Sequence, residues 1–418
     1  MERRRMKRRR TERKWGKKRV LIGILVLLSA GIAVWSIGGL APVSKRGHKI
    51  NTWSTVRGEK EIQRCITETN MDRQKTADQH YGAKGFYYQK LTAAEQDMYY
   101  ALWQGVKEEL AYIELPTSDG ELAAKVYEYL LYDRPELFWC DGTSKMTIYE
   151  TTLQFYPGYH CTGEQKKERE AQIQTASKAC LDAFVQGMTE YEQIRYIFDY
   201  LVKTVEYDSK APDNQNIYSA LVNKKSVCAG YARAAQYLLQ QAGMECIYVV
   251  GDIVGQGAHA WNIVNCEGKY YQMDATFGDP VFLAEEENMS VPQEIVNYDY
   301  LCCTDEVIIQ THRADESMGY PVCSSDDLHY YRMEGMYYET FDAEEIRSKM
   351  RESFYLGETS FTCKFSDHAL YLEACSTLIG EVLPAVCAEI AEYHGVSSVR
   401  YTYVEDEDMN KIMVFWEL

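Results

Sequence analysis

Three kinds of apolar pattern divide the chain. Residues 20–41 form an uncharged run of 22 residues, VLIGILVLLSAGIAVWSIGGLA. As a helix rising about 1.5 Å per residue, the run is long enough to cross about 30 Å of hydrocarbon. Between 91 and 115 the apolar residues Met98, Ala101, Leu102, Val106 and Leu110 recur at helical spacing. Pro116 and the Thr117-Ser118-Asp119-Gly120 cluster close that helix, and a second one, over 121–132, stops before Asp133-Arg134-Pro135. Residues 137–139 and 146–155 read as short strands. Residues 164–203 return to helical spacing, with Ala179, Phe184, Ile194, Ile197, Phe198, Leu201 and Val202 on apolar stripes. The stretch 336–418 reads as a strand, a helix over 370–393 and two strands, 399–404 and 411–416.

These patterns give an order of units: a leader over 1–19, a membrane anchor over 20–41 and a polar stalk over 42–85. A small α+β unit over 86–160, a central unit over 164–315 and a C-terminal α+β unit over 336–418 follow.

Charge sharpens the first part of this division. The net charge of −17 hides a leader with twelve Lys/Arg against Glu2 and Glu12, a surplus of ten that leaves the remainder at −27. So acidic a body excludes nucleic acid as its partner, because phosphate binding needs a basic footprint. Basic residues flanking an apolar span stay on the cytoplasmic side, which places the folded bulk outside the cell membrane. A cleaved signal peptide is the rival reading, but Pro42 would then follow the cut.

Export bears on the 13 cysteines. In an oxidising space most would pair, leaving one over, although their loose spacing also suits small buried hydrophobes. No CxxC pair is present, and Glu285-Glu286-Glu287 lacks the alternating ligands of a calcium loop. No metal or cofactor is therefore expected.

The central unit carries the chemistry. In SVCAGYARAAQYLLQQAG, residues 226–243, Tyr231, Ala234, Ala235, Leu238 and Ala242 share one helical face, and Gly243 fits a left-handed C-terminal cap. Cys228 then lies at the first helical turn, where unpaired N–H groups and the positive helix end favour thiolate. A strand over 245–250 and a glycine-rich loop lead to His259-Ala-Trp-Asn-Ile-Val, and a second strand runs over 269–276. With a two-residue turn at Glu267-Gly268, Trp261 faces Asp274 and His259 faces Thr276. All four side chains then share one face, with His259 diagonal to Asp274, whereas a one-residue slip would separate them. A thiolate, an imidazole to move its proton and a carboxylate to fix the imidazole are the parts of a papain-like site.

VCAGYARAAQYLLQQAG, HAWNIV and GKYYQMDATFGDP resemble, in order and spacing, three consecutive motifs of the transglutaminase-like superfamily. The bacterial branch shares them with cytokinesis-linked and kyphoscoliosis-type peptidase homologues. The resemblance spans about residues 195–315, including Asn297-Tyr-Asp-Tyr-Leu. It implies an α+β, papain-like core, a helix bearing Cys packed on an antiparallel sheet bearing His and Asp, with smaller flanking α+β units. It further implies Cys228 as nucleophile, His259 as general base and acid, and Asp274 as the residue that orients His259. Tyr218 matches the family's upstream polar residue near the oxyanion, and Trp261 falls on the oxyanion or substrate side. Thr276-Phe-Gly-Asp-Pro departs from the tryptophan common there, and Lys225-Ser226 replaces a common glycine.

The activity so implied is attack on amide or ester carbonyls through a Cys acyl-enzyme, ending in hydrolysis or in transfer to an amine. Peptides, surface proteins or peptidoglycan stem peptides are the substrates that an anchored, exported position suggests, with the lipid bilayer as partner of residues 20–41. The alternative is a catalytically silent binding or scaffolding domain of the same fold.

Overall fold

The computed structural model describes residues 85–279 and 296–417. The leader, the run 20–41, Glu285-Glu286-Glu287 and all of the stalk but Gly85 lie outside them. Helix α1, Ala93–Lys107, opens on a capping box: Glu95 N–H donates to the Thr92 hydroxyl, and Thr92 N–H donates back to the Glu95 carboxylate at 2.7 Å. It ends eight residues before the apolar spacing suggested. Glu109 adopts a left-handed φ of 54°, and the chain turns into strand β1, Ile113–Leu115. In that strand Ile113 and Leu115 point inward on either side of exposed Glu114, with Ile113 seated directly against Gly105 of the helix.

Helix α2, Gly120–Asp133, and strands β2, Cys140–Ile148, and β3, Leu153–Tyr159, complete this unit as a sheet of order β1-β3-β2. The strand expected over 137–139 is a turn instead, and the one expected over 146–155 is a hairpin closed by Tyr149 N–H donating to Thr152 O. The helical stretch expected over 164–203 is two helices, α3, Gly163–Leu181, and α4, Glu190–Thr204. Gly187, at φ 93°, lies in the break, and a second capping box at Thr189 starts α4.

A short parallel bridge, β4 (Glu206–Tyr207) with β5 (Lys225–Ser226), delivers the chain to helix α5, Cys228–Gln241. The helix packs on a fully antiparallel sheet of five strands. They are β6, Cys246–Ile253; β7, Gly257–Cys266; β8, Lys269–Met273; β9, Leu301–Cys303; and β10, His312–Ala314. Their order in space is β10-β6-β7-β8-β9. A helix against an antiparallel sheet is the α+β, papain-like arrangement expected for the central unit. One buried apolar cluster joins Leu102, Leu130 and Phe155 to Phe198, Leu238 and Val264, so the first unit and the central one share a core.

The C-terminal sheet is β11-β12-β14-β13: Tyr337–Tyr338, Ser360–Phe365, Lys411–Glu417 and Arg400–Asp406 in that order. The helix Ala343–Tyr355 was not expected from sequence, because its charged residues hide a narrow stripe of Ile346, Met350 and Phe354. Among the described residues one helical run, the 27 residues His368–His394, is long and apolar enough to span a membrane. Here Tyr371, Leu378, Leu383, Val386 and Ile390 bury its apolar face against the C-terminal sheet.

Asp299 fastens this unit to the central one. Its buried carboxylate accepts from Lys411 of β14 and lies 3.5 Å from Lys364 Nζ of β12. Burial alone would raise the carboxyl, but the two ammonium groups outweigh it and hold Asp299 at about 2. A depressed carboxyl contributes stability above its unfolded value, about 3.9, and loses it as pH falls through the folded one. Asp299→Asn should therefore cost about 3–5 kcal/mol in chemical denaturation, with two buried ammonium groups left unpaired. It should also flatten the fall in stability of the native protein between about pH 4 and pH 2. An unchanged denaturation midpoint would refute the anchoring role.

Candidate active site

Cys228 is the first residue of α5, and the residue before it, Val227, gives the helix no side-chain cap. The first N–H groups of a helix have no intrahelical acceptors, so they converge on whatever lies before the first turn. The turn itself is pinned from below. Val227 N–H and the Ser226 hydroxyl both donate to Asn214 O, at 3.1 and 2.7 Å, and Ser219 Oγ lies 2.8 Å from Ser226 Oγ. Gly230 is required here, since a Cβ would stand 1.8 Å from Ser226 Oγ. Along the helix, Arg233 donates to Leu131 O at 2.5 Å and Gln236 to Tyr132 O at 2.9 Å. These two bonds complete the last turn of α2 and fasten α5 to the first unit.

The hairpin of β7 and β8 has the register that its turn residues predicted. Glu267 and Gly268 take left-handed φ values of 53° and 84°, and Cys266 pairs with Lys269, Val264 with Tyr271 and Asn262 with Met273. Continued upward, that register brings Trp261 opposite Asp274 and His259 onto the diagonal. His259 Nε2 lies 2.6 Å from Asp274 Oδ2, and the same ring interacts electrostatically with the Cys228 thiol. With Nε2 engaged by the carboxylate, Nδ1 is the nitrogen left for sulfur. Burial works against a charge on His259, but Asp274, with a smaller part from Cys228, overcomes it and raises the imidazole to about 10. Burial likewise opposes the charge on Asp274, which His259 and then His312 hold well below the ordinary carboxylate range.

Cys228, His259 and Asp274 thus meet. Trp261 and Tyr218, expected on the oxyanion or substrate side, have their polar groups bonded to other residues. Trp261 is buried, stacks on His259 with ring centroids 6.0 Å apart, and donates its indole N–H to Gln272 Oε1 at 2.8 Å. That bond leaves it as a wall beside the imidazole and commits its one donor elsewhere. Tyr218 turns to α3: its hydroxyl donates to Gln172 Oε1 at 2.8 Å, and Arg169 lies over its ring. Thr276 reaches Asp274 through its backbone N–H, 2.8 Å from Oδ1, and not through its side chain.

His312 is the residue that sequence reasoning missed. Its Nε2 lies 2.9 Å from the same Asp274 Oδ2 that holds His259. Among the described residues, His259, Asp274 and His312 are the one group whose ligand atoms are close enough to hold a metal ion, all within 4.8 Å of one another. The two shortest separations are hydrogen-bond lengths. Two zinc ligands, each about 2.0–2.1 Å from the ion on tetrahedral axes, would stand about 3.3 Å apart, so protons fit these gaps better than a cation.

The comparisons with known proteins bear on the same segment. Residues 181–275 match the family model described as Transglutaminase-like superfamily. Kyphoscoliosis peptidase of Homo sapiens is 28% identical over 126 residues, 25% of this chain and 19% of that protein. The Mus musculus protein is 26% identical over 113 residues, 23% of this chain and 17% of its own length. The chain therefore spans less than a fifth of the length of these relatives. Among solved structures, one described as a TGase covers 36% of this chain and 47% of its own, with 13% identity and a TM-score of 0.25. Another, described as a candidate cysteine protease from Cytophaga hutchinsonii, covers 34% and 63%, with 15% identity and a TM-score of 0.24. The matched residues include the helix that begins at Cys228 and the hairpin that carries His259 and Asp274, and residues 181–275 of this chain are a transglutaminase-like domain.

Proposed function

We propose that the protein is a cell-surface thiol enzyme that cleaves or transfers acyl groups of peptides, through a thioester on Cys228. The observation that carries this reading is the continuous contact from Cys228 to His259 to Asp274 at the start of an uncapped helix. The kyphoscoliosis peptidase likeness supports a peptide or protein substrate, and the uncharged run 20–41 behind a basic leader supports an anchored, extracytoplasmic position with peptidoglycan peptides in reach. The catalytic domain would occupy 164–315, between the units 86–160 and 336–418.

In this mechanism His259 holds the proton and Cys228 carries the negative charge. The sulfur attacks the carbonyl carbon, the carbonyl electron pair moves to oxygen, and first-turn N–H groups of α5 stabilise that oxyanion. His259 then gives its proton to the departing nitrogen or oxygen as the bond to carbon breaks, leaving the thioester. Water or an amine attacks next, His259 takes the proton, and the thiolate is expelled. Asp274, fixed on Nε2, keeps Nδ1 aimed at sulfur throughout.

A thiol-reactive probe should label Cys228 ahead of the other cysteines. His259→Ala should slow labelling about 10-fold or more at pH 7, where a free thiol is mostly protonated. The native rate should change as His259 loses its proton near 10. Equal labelling of all cysteines, insensitive to His259, would point to the silent binding domain. Asp274→Asn should keep the fold but lower turnover about 10²–10⁴-fold, measured by product masses from peptides offered with and without an amine donor. Gly230→Ala, which drives a methyl into Ser226, should lower both Tm and labelling rate, and a native rate would show the elbow to be indifferent.

A further inference from the structure

We infer that His312 is a positioning residue for this site: its ring, seated across Asp274 Oδ2 from His259, fixes the carboxylate on which the aim of His259 depends. The inference rests on the thiol-enzyme reading above and extends it to a strand outside the matched segment. The two imidazoles stand 2.6 and 2.9 Å from one oxygen, with ring centroids 5.2 Å apart. The other oxygen, Oδ1, accepts Thr276 N–H at 2.8 Å and Phe277 N–H at 3.3 Å. Four donors therefore surround a carboxylate that would otherwise be free to swing about its last torsion. Only one of the four, on His259, belongs to the proposed relay. His312 is the other donor on that oxygen.

His312 is itself held in one state. Its Nδ1 lies 2.7 Å from Thr311 Oγ1, which lies 3.0 Å from the Tyr300 hydroxyl. Asp274 at Nε2 calls for the ring proton there, and the other ring edge is engaged by the Thr311 hydroxyl and the Ile308 backbone. The other tautomer would set an imidazole lone pair against a carboxylate. Trp261, Phe277 and Tyr300 enclose the ring at 5.0, 4.8 and 5.4 Å between centroids. The titratable groups facing it are Asp274 and His259 from the β7–β8 hairpin and Tyr300 from the segment before β9, with Cys228 of α5 behind His259. Burial lowers His312, outweighing the pull of Asp274, and His259 lowers it further, so one carboxylate faces one imidazolium and one neutral ring. Two imidazolium ions there would leave a buried positive charge without a partner.

The test uses the full chain and a small alkylating probe on Cys228, with rates followed from about pH 5 to 11 and Tm recorded for each variant. His312→Gln keeps an N–H near the position of Nε2, while His312→Asn and His312→Phe do not. The Gln variant should label within about 3-fold of the native protein. The Asn and Phe variants should label about 10-fold more slowly at neutral pH. Their alkaline limb should move down from about 10 toward that of an ordinary histidine, because a carboxylate that has lost one of its two Oδ2 donors holds the His259 proton in a less fixed geometry. If the Phe variant does not fold, the contrast between Gln and Asn decides the matter alone. An alkaline limb that stays in place or rises in a folded Asn or Phe variant would overturn the inference, even if Tm falls. If native labelling itself does not depend on His259, it is the thiol-enzyme reading that fails, and with it any role for His312 in aiming His259.

Discussion

A carboxylate removed from water must be surrounded by donors or give up its charge, and Asp274 meets this constraint with groups from separate parts of the chain. Its own turn supplies the N–H groups of Thr276 and Phe277, β7 supplies His259 and β10 supplies His312. Its backbone N–H in turn donates to Tyr300 O, just before β9. Residues of β7 and of the edge strand β10 thus meet on one side chain, while the segment before the other edge strand, β9, holds its backbone. The sheet order, with β10 folded back beside β6, is what makes that convergence possible.

The parts of this arrangement written locally were readable from the sequence. The start of α5 at Cys228 follows from apolar spacing closed by Gly243, and the facing of His259 and Asp274 follows from alternation about Glu267-Gly268. His312 left no such sign. It is 38 residues from Asp274, on a three-residue strand whose place at the sheet edge is set by tertiary packing. Local periodicity also overran where one apolar series served two elements, as at Glu109, where a single left-handed residue converts helical spacing into a strand. Tyr218 and Trp261 show the limit of motif position as a guide. Each stands where the pattern puts it, yet its hydrogen bond is spent on Gln172 or Gln272.

The cysteines followed packing more than redox arithmetic. The twelve described ones are all free, and eleven are buried. Burial raises Cys246 and Cys363, among others, far above the ordinary thiol range, so these sulfurs behave as compact apolar groups. Cys228 differs from them in its surroundings, with a helix start on one side and an imidazole on the other.

The salt-linked node at Asp299 also bears on inheritance. The residue that meets Lys411 immediately precedes Tyr300, whose carbonyl takes the Asp274 amide and whose hydroxyl supports Thr311. A lineage that exchanged its final hairpin for another would strand an acid in the interior one residue from the surroundings of Asp274. Relatives that lack this appendage should carry a compensating change at the position of Asp299, so the two are expected to evolve as one block while surface loops drift independently.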